Sequence, residues 1–216
     1  SMLHVLEEAG LLKDVYKGAV VDGKLQLDLT IDPKTGCAFT GILGKKGMLD
    51  KQHYESLDKE DLRRKARDFK NKIFLFHTSL EELRPKRLEN MEAYAISMLP
   101  EGFDYYAGGH VHIVGKTTLD GYPEVVYPGP VFPASFSELE DLRGGNMVIV
   151  DNNTPRDVPL QLKRVVPLRI AIEDQTPAAA TDTIISSLEE QEPEDAIVLL
   201  RVTGACSTSS FLMIDL

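Results

Sequence analysis

Two short apolar runs, each closed by histidine, constrain the fold most. In "KIFLFHTSL" residues 73–76 are continuously apolar and His77 follows; in "DYYAGGHVHIV" the run ends in Gly108-Gly109-His110, with His112 two residues on. An apolar run of strand length without alternation reads as a strand buried on both faces, as in parallel sheets. The segment between the two runs, "SLEELRPKRLENMEAYAISMLPEGF", reads as one or two short helices broken near Pro85 and ended by Pro100-Glu101-Gly102. Strand, helical crossover and strand together predict an α/β chain.

Elsewhere the pattern is local. "LHVLEEAGLL" has helical spacing, with Gly10 as its C-cap. Leu25, Leu27, Leu29 and Ile31 alternate with polar residues ahead of the turn "DPKTG", which predicts a hairpin of 24–31 with 37–43. Further strands are expected in "YPEVVYPGP" and at 147–150. The turn-rich "DNNTPRD", residues 151–157, reads as a linker, dividing the chain into 1–152 and 153–216. Beyond it, two strands in "PLQLKRVVPLRIAIED", a helix over 178–191 and a strand over 196–202 form a small β-β-α-β piece.

Composition excludes several classes. No stretch approaches the 18 or more apolar residues of a membrane-spanning helix, and "SMLHVLEEAG" has neither the basic flank nor the cleavage site of a signal peptide. Cys37 and Cys206 lie far apart with no CxxC spacing, which argues against a disulfide framework or zinc ribbon and for a reducing, cytoplasmic compartment. A net charge of −10 disfavours a large nucleic-acid footprint. Charge is nonetheless segregated: Lys59, Arg63, Arg64, Lys65, Arg67, Lys70 and Lys72 crowd the segment 45–72. That segment is either a solvated helix with acidic partners or an electrostatic contact for a phosphodiester backbone.

Of the five histidines, His4 and His53 read as structural. His77, His110 and His112 differ, because each follows a strand and ligands of open α/β sheets bind beyond the carboxyl ends of strands. If the two strands are neighbours, the three imidazoles converge as ligands for a transition metal. Gly108 and Gly109 are expected to allow unusual backbone angles and close approach there, and Val111 to point away into an apolar slot.

The segments "FLFHTSL" and "YYAGGHVHIVGK", followed by "YPEVVYPGPVFPASFSELEDL", resemble the last two metal motifs of the calcineurin-like metallophosphoesterases. More narrowly, most of the chain, from "LHVLEEAGLL" to "AIVLLRVTG", resembles archaeal DNA double-strand-break repair nucleases of the meiotic-recombination-eleven type, relatives of bacterial SbcD exonucleases. The resemblance implies part of a two-sheet α/β sandwich plus a small α+β capping domain that helps bind DNA. It implies two ions, usually Mn2+, with His77 and His110 on one and His112 on the other. The partners it implies are DNA, a coiled-coil ATPase of the SbcC type and, in the complete protein, a second copy.

The family's Asp-x-His, GDxxD and GNHD motifs do not occur in the sequence. The chain is therefore expected to be a fragment that starts after them, binds metal weakly and is inactive alone. Arg63, Arg64 and Lys65 in the charged segment, and by the same resemblance Lys163, Arg164 and Arg169 at the start of the capping piece, are candidate DNA contacts, each with solvated surface charge as the alternative. Two other functional readings stand beside the nuclease: another metallophosphoesterase acting on a cyclic nucleotide or phosphomonoester, and a non-catalytic interaction module with vestigial histidines.

Overall fold

The computed structural model describes residues 2–45 and 49–207; three residues of the charged segment, 46–48, and the last nine residues lie outside it. The chain divides into two compact units, Ser1–Gly129 with Val148–Asp157, and Pro130–Met147 with Val158–Leu216. The α/β class is observed.

The first unit opens with helix α1 (Met2–Glu8). It ends as its sequence predicts: Gly10 takes φ +72°, its N–H donates to Glu7 O at 2.8 Å, and Leu11 N–H reaches back to Leu6 O at 2.9 Å. That is the glycine-terminated motif which satisfies the last helix carbonyls.

The expected 24–31 strand is broken in two. Strand β1 (Gly18–Val21) pairs antiparallel with β2 (Lys24–Leu27), and only β3 (Thr30–Ile31) pairs with β4 (Ala38–Gly41) across the turn. The signal for the first hairpin is the dipeptide Asp22-Gly23, with φ of 51° and 77°. Two consecutive positive φ values make the two-residue turn whose twist suits a hairpin. Such a local closure competes well with the longer ladder, and it still buries Leu25 and Leu27 on one face.

The unit is built on a six-stranded sheet in the order β3-β4-β5-β6-β8-β7, with β5 (Lys72–Phe76), β6 (Tyr105–Gly108), β7 (Val114–Leu119) and β8 (Tyr122–Pro128). Strands β4, β5, β6 and β8 run parallel; β3 and β7 are antiparallel edges. Helices α2 (Lys51–Glu55) and α3 (Lys59–Ala66) cross from β4 to β5. Between β5 and β6 the chain makes three 3-10 turns, 81–83, 86–88 and 96–98, instead of the expected helices. Pro85 forces the extended backbone before the second turn, and the Glu82 carboxylate takes Ile96 N–H at 2.9 Å, so the segment is folded by side-chain tethers. The core is aromatic: Phe74, Tyr106 and Tyr127 are fully buried together with Leu27, Leu62 and Val125.

The residues read as a linker form a hairpin. Strands β9 (Gly145–Asp151) and β10 (Thr154–Leu160) pair around Asn152 and Asn153, with φ of 48° and 62°. The 152/153 division thus falls at a hairpin turn, and its tip, Val148–Asp157, groups with the first unit.

The second unit contains helix α4 (Phe136–Leu142) and a β-α-β piece: β11 (Arg164–Gln175), α5 (Pro177–Glu189) and β12 (Ala196–Cys206), with the two strands parallel. The start of α5 follows from Thr176-Pro177: the Thr176 hydroxyl accepts Ala179 N–H and proline occupies the first turn. Ile170 and Ile172 pack against Ala180 and Ile184 of the helix. Helix α4 was not expected, although "SFSE" spells its N-terminus: Ser135 accepts Glu138 N–H, while the Glu138 carboxylate takes Ala134 N–H.

Candidate metal centre

Strands β5 and β6 are direct neighbours, with Phe76 opposite Gly108. Their carboxyl ends point the same way, so His77 and the Gly109–His112 segment emerge side by side. The Gly109 N–H donates to Phe76 O at 2.9 Å, extending the pairing into the site. The rings of His77 and His110 meet edge to face, with centroids 5.4 Å apart and an interplanar angle of 67°.

The His77 position is fixed from several sides. Tyr127 on β8 donates its hydroxyl to Thr78 O at 2.6 Å, and Tyr94 N–H donates to Ser79 O at 2.9 Å. Two glycines flank the imidazole. A Cβ on Gly109 would lie 2.6 Å from His77 Nδ1, and one on Gly44 would lie 2.5 Å from His77 Cδ2. A Cβ on Gly108 would lie 2.6 Å from Phe76 and 2.7 Å from Tyr127.

The Gly108-Gly109 pair therefore serves close approach, as expected, but not unusual backbone angles. The positive φ falls on His110 itself, at 82°. A β-carbon in that region is strained by about 1–3 kcal/mol, a cost found where surrounding structure holds a side chain for a purpose. Val111 is buried in the core between two exposed histidines, so the alternation His-Val-His sends both imidazoles outward.

Burial first, then the neighbouring His110, hold His77 below the usual histidine range; His112 acts the same way and Asp50 opposes. Neutral imidazole is the form that ligates a metal. Among the described residues, no group of three His, Cys, Asp or Glu side chains is close enough to hold an ion. What the structure brings together is the ring contact of His77 with His110, with the charge of His112 also felt by His77.

A cleft of about 350 Å³ opens at the same sheet edge, lined by Tyr16, Leu43, Leu75, His77 and Gly109 among others. Over part of its length the chain is similar to archaeal Mre11. It is 37% identical over 75 residues to the DNA double-strand break repair protein Mre11 of Methanopyrus kandleri, covering 34% of this chain and 16% of that protein. It is 33% identical over 91 residues to the protein of the same name from Methanococcus maripaludis, covering 42% of this chain and 23% of that protein. The chain thus matches less than a quarter of either Mre11. No family model matches the chain.

The six basic residues named as DNA contacts all have internal partners. Arg63 pairs with Glu60 at 3.0 Å and with Glu101 at 3.5 Å, Arg64 with Asp61 at 2.5 Å, and Lys65 with Asp61 at 2.9 Å and Asp28 at 3.2 Å. In the second unit Lys163 pairs with Asp195, Arg164 donates to the carbonyls of Gln191 and Glu192, and Arg169 pairs with Glu140 at 2.5 Å. Arg201 then Arg169 hold the Glu140 carboxyl below the ordinary range, and the Arg201 guanidinium also lies 5.0 Å over the Phe136 ring. The exposed pairs of Arg63 with Glu60 and of Lys163 with Asp195 contribute little to stability and are exchangeable, whereas Arg64 and Lys65 cover the buried Asp61 carboxylate and Arg169 the largely buried Glu140.

Sequence reasoning gave His53 a structural role without partners. Its Nδ1 lies 2.6 Å from the Tyr16 hydroxyl and its Nε2 2.8 Å from Lys45 Nζ. An ammonium only donates, so Nε2 is the acceptor and Nδ1–H faces the Tyr16 oxygen. Burial first, then Lys45, lower the affinity of His53 for a proton, against Asp50.

The folded protein therefore binds fewer protons here than the unfolded chain. The stability involved is complete above the ordinary histidine value of about 6.5 and is lost as pH falls below it toward the depressed folded value. His77 acts with the same sign. The melting temperature should drop between about pH 7 and pH 5, and His53→Gln should flatten that slope. A slope identical in the variant would show that His53 is not its source.

Proposed function

We propose that this chain carries the histidine half of the metal centre of a DNA nuclease acting in double-strand-break repair. The convergence of His77 and His110 at the carboxyl edge of a parallel sheet carries the reading, and the partial similarity to archaeal Mre11 gives it a substrate. His77 and His110 hold one Mn2+, and His112 serves a second. Bound metal supplies Lewis acidity and a nucleophilic water for phosphodiester hydrolysis. The chain's own part is to hold two neutral imidazoles at fixed spacing, between glycines that exclude any other side chain.

The second unit is proposed as the start of a DNA-binding capping domain. Arg63, Arg64, Lys65, Lys163, Arg164 and Arg169 exchange their internal carboxylates and carbonyls for backbone phosphates. A coiled-coil ATPase of the SbcC type and a second copy of the chain are the partners of the complete protein. The competing reading, an interaction module without catalysis, draws on the two-imidazole donor set and on the internally paired basic residues.

Mn2+ titration followed by histidine NMR separates the two. Resonances of His77 and His110 should broaden first, then those of His112; broadening confined to His4 or His53 rejects the site. In the full-length nuclease, His77→Ala should reduce Mn2+-dependent cleavage of DNA by at least about 100-fold. Undiminished cleavage would refute the assignment.

A further inference from the structure

One face of the parallel pair β11–β12 packs on α5, where Ile170 and Ile172 meet Ala180 and Ile184. Side chains alternate along a strand, so Arg169 rises from the other face. The register sets Arg201 directly beside it on the neighbouring strand, about 4.8 Å away at the backbone. Two adjacent guanidinium groups on one face repel each other unless an anion joins them. Here one carboxylate does so, that of Glu140 on α4. Arg169 reaches Oε1 through Nη2 at 2.5 Å and through Nε at 2.9 Å, and Arg201 Nη2 reaches Oε2 at 2.8 Å.

The cluster holds two cations and one anion, and it is open on the cationic side. The Glu140 side chain is 12% exposed, whereas those of Arg169 and Arg201 are 73% and 48% exposed. Arg201 is steadied from below by the Phe136 ring at 5.0 Å. The helix that brings Glu140 is thinly held. Seven residues are too few for a helix to persist alone, and α4 has no buried residue. Glu140 and Phe136 tie it to the two arginines, and an element held by ion pairs and a stacked ring opens more readily than one anchored in a core.

A carboxylate and a phosphodiester each present two charged oxygens on one centre, and guanidinium groups grip both in the same forked manner. Glu140 therefore occupies the place that a phosphate fits. We propose that Arg169 and Arg201 form a two-arginine site for a DNA backbone phosphate, that Glu140 closes this site in the free protein, and that binding DNA releases α4. This rests on the DNA reading above and adds to it Arg201 and a helix that competes with the phosphate. Because Glu140 is largely covered, Arg169 does not simply trade a mobile surface partner. The carboxylate has to reach water, and it does so by moving with α4.

The test measures binding of a fluorescently labelled DNA duplex to the full chain by anisotropy at several salt concentrations. Four variants are compared with wild type: Glu140→Gln, Arg201→Gln, the two combined, and Glu194→Gln. The last removes one charge from an exposed residue of the same unit and controls for net charge. Glu140→Gln should tighten binding by about 5-fold or more beyond the control, the scale of one ion pair removed from competition. Arg201→Gln should weaken binding by about 5-fold or more and lower the salt slope by about 1, as for one lost phosphate contact. The combined variant should lose the gain of Glu140→Gln. Hydrogen exchange of the α4 amides should quicken when the duplex is added to wild type. A Glu140→Gln no tighter than Glu194→Gln, or α4 amides that exchange more slowly with DNA, overturns the closing role of Glu140. Binding that falls with Arg64→Gln yet is indifferent to Arg201→Gln overturns this site and leaves the DNA reading standing. No duplex binding by wild type or by Glu140→Gln overturns both.

Discussion

Phe74→Ala should destabilise the first unit by about 3–5 kcal/mol, a large share of the 5–15 kcal/mol that holds a typical domain together. Phe74 lies at the centre of β5 with no exposed surface. Its ring meets Phe103 at 5.3 Å and Tyr106 at 6.3 Å, and Tyr106 continues the cluster to Tyr122 at 5.4 Å. Truncation leaves a cavity walled by rigid aromatic rings, which collapse poorly, so the upper part of the range is expected. All seven tyrosines lie in residues 16–127 and the chain has no tryptophan, so tyrosine fluorescence during urea unfolding reports this unit alone. A urea midpoint equal to that of wild type would show that Phe74 is not the centre of the core.

Gly109→Ala should separate the site from the fold. The added methyl would sit 2.6 Å from His77 Nδ1, and the ring cannot retreat freely, because Gly44 lies against its opposite edge. The imidazole must turn or shift, and its 5.4 Å relation to His110 is lost. A ligand displaced by about 1 Å no longer shares an ion with its neighbour, so Mn2+ affinity should fall at least about 10-fold. Gly109 has no positive φ, so alanine is tolerated by the backbone and the sheet should survive. The expected result is wild-type circular dichroism with weakened metal binding by calorimetry; wild-type affinity would mean that His77 is not held where the glycine places it.

The site was legible in the sequence to the extent that its spacing is local. An apolar run followed at once by histidine, twice, announces two strand ends, and the order His-Val-His announces two exposed imidazoles around a buried valine. Both signals act over a few residues and follow from the alternation of side chains along extended backbone. The role of Gly108-Gly109 was half legible. Their smallness serves the approach of Phe76, Tyr127 and His77, whereas the left-handed φ was carried by His110, a residue that sequence patterns do not mark for it.

Asp22-Gly23 and the Ser-x-x-Glu start of α4 spell a tight hairpin and a helix N-terminus, and both form. By contrast, nothing in the sequence marks Gly44 as lying against the His77 ring. It does so because β4 and β5 lie side by side in the sheet.

By itself the sequence determined the two strand ends at His77 and before His110 and that the class is α/β, because periodicity and turn chemistry act between near neighbours. The tertiary structure alone decided which strands pair, that the His77 and His110 rings meet, and that the candidate DNA-binding cations carry internal partners. Those outcomes depend on contacts between segments remote in the chain, where close packing and charge pairing choose among arrangements that local pattern leaves equal.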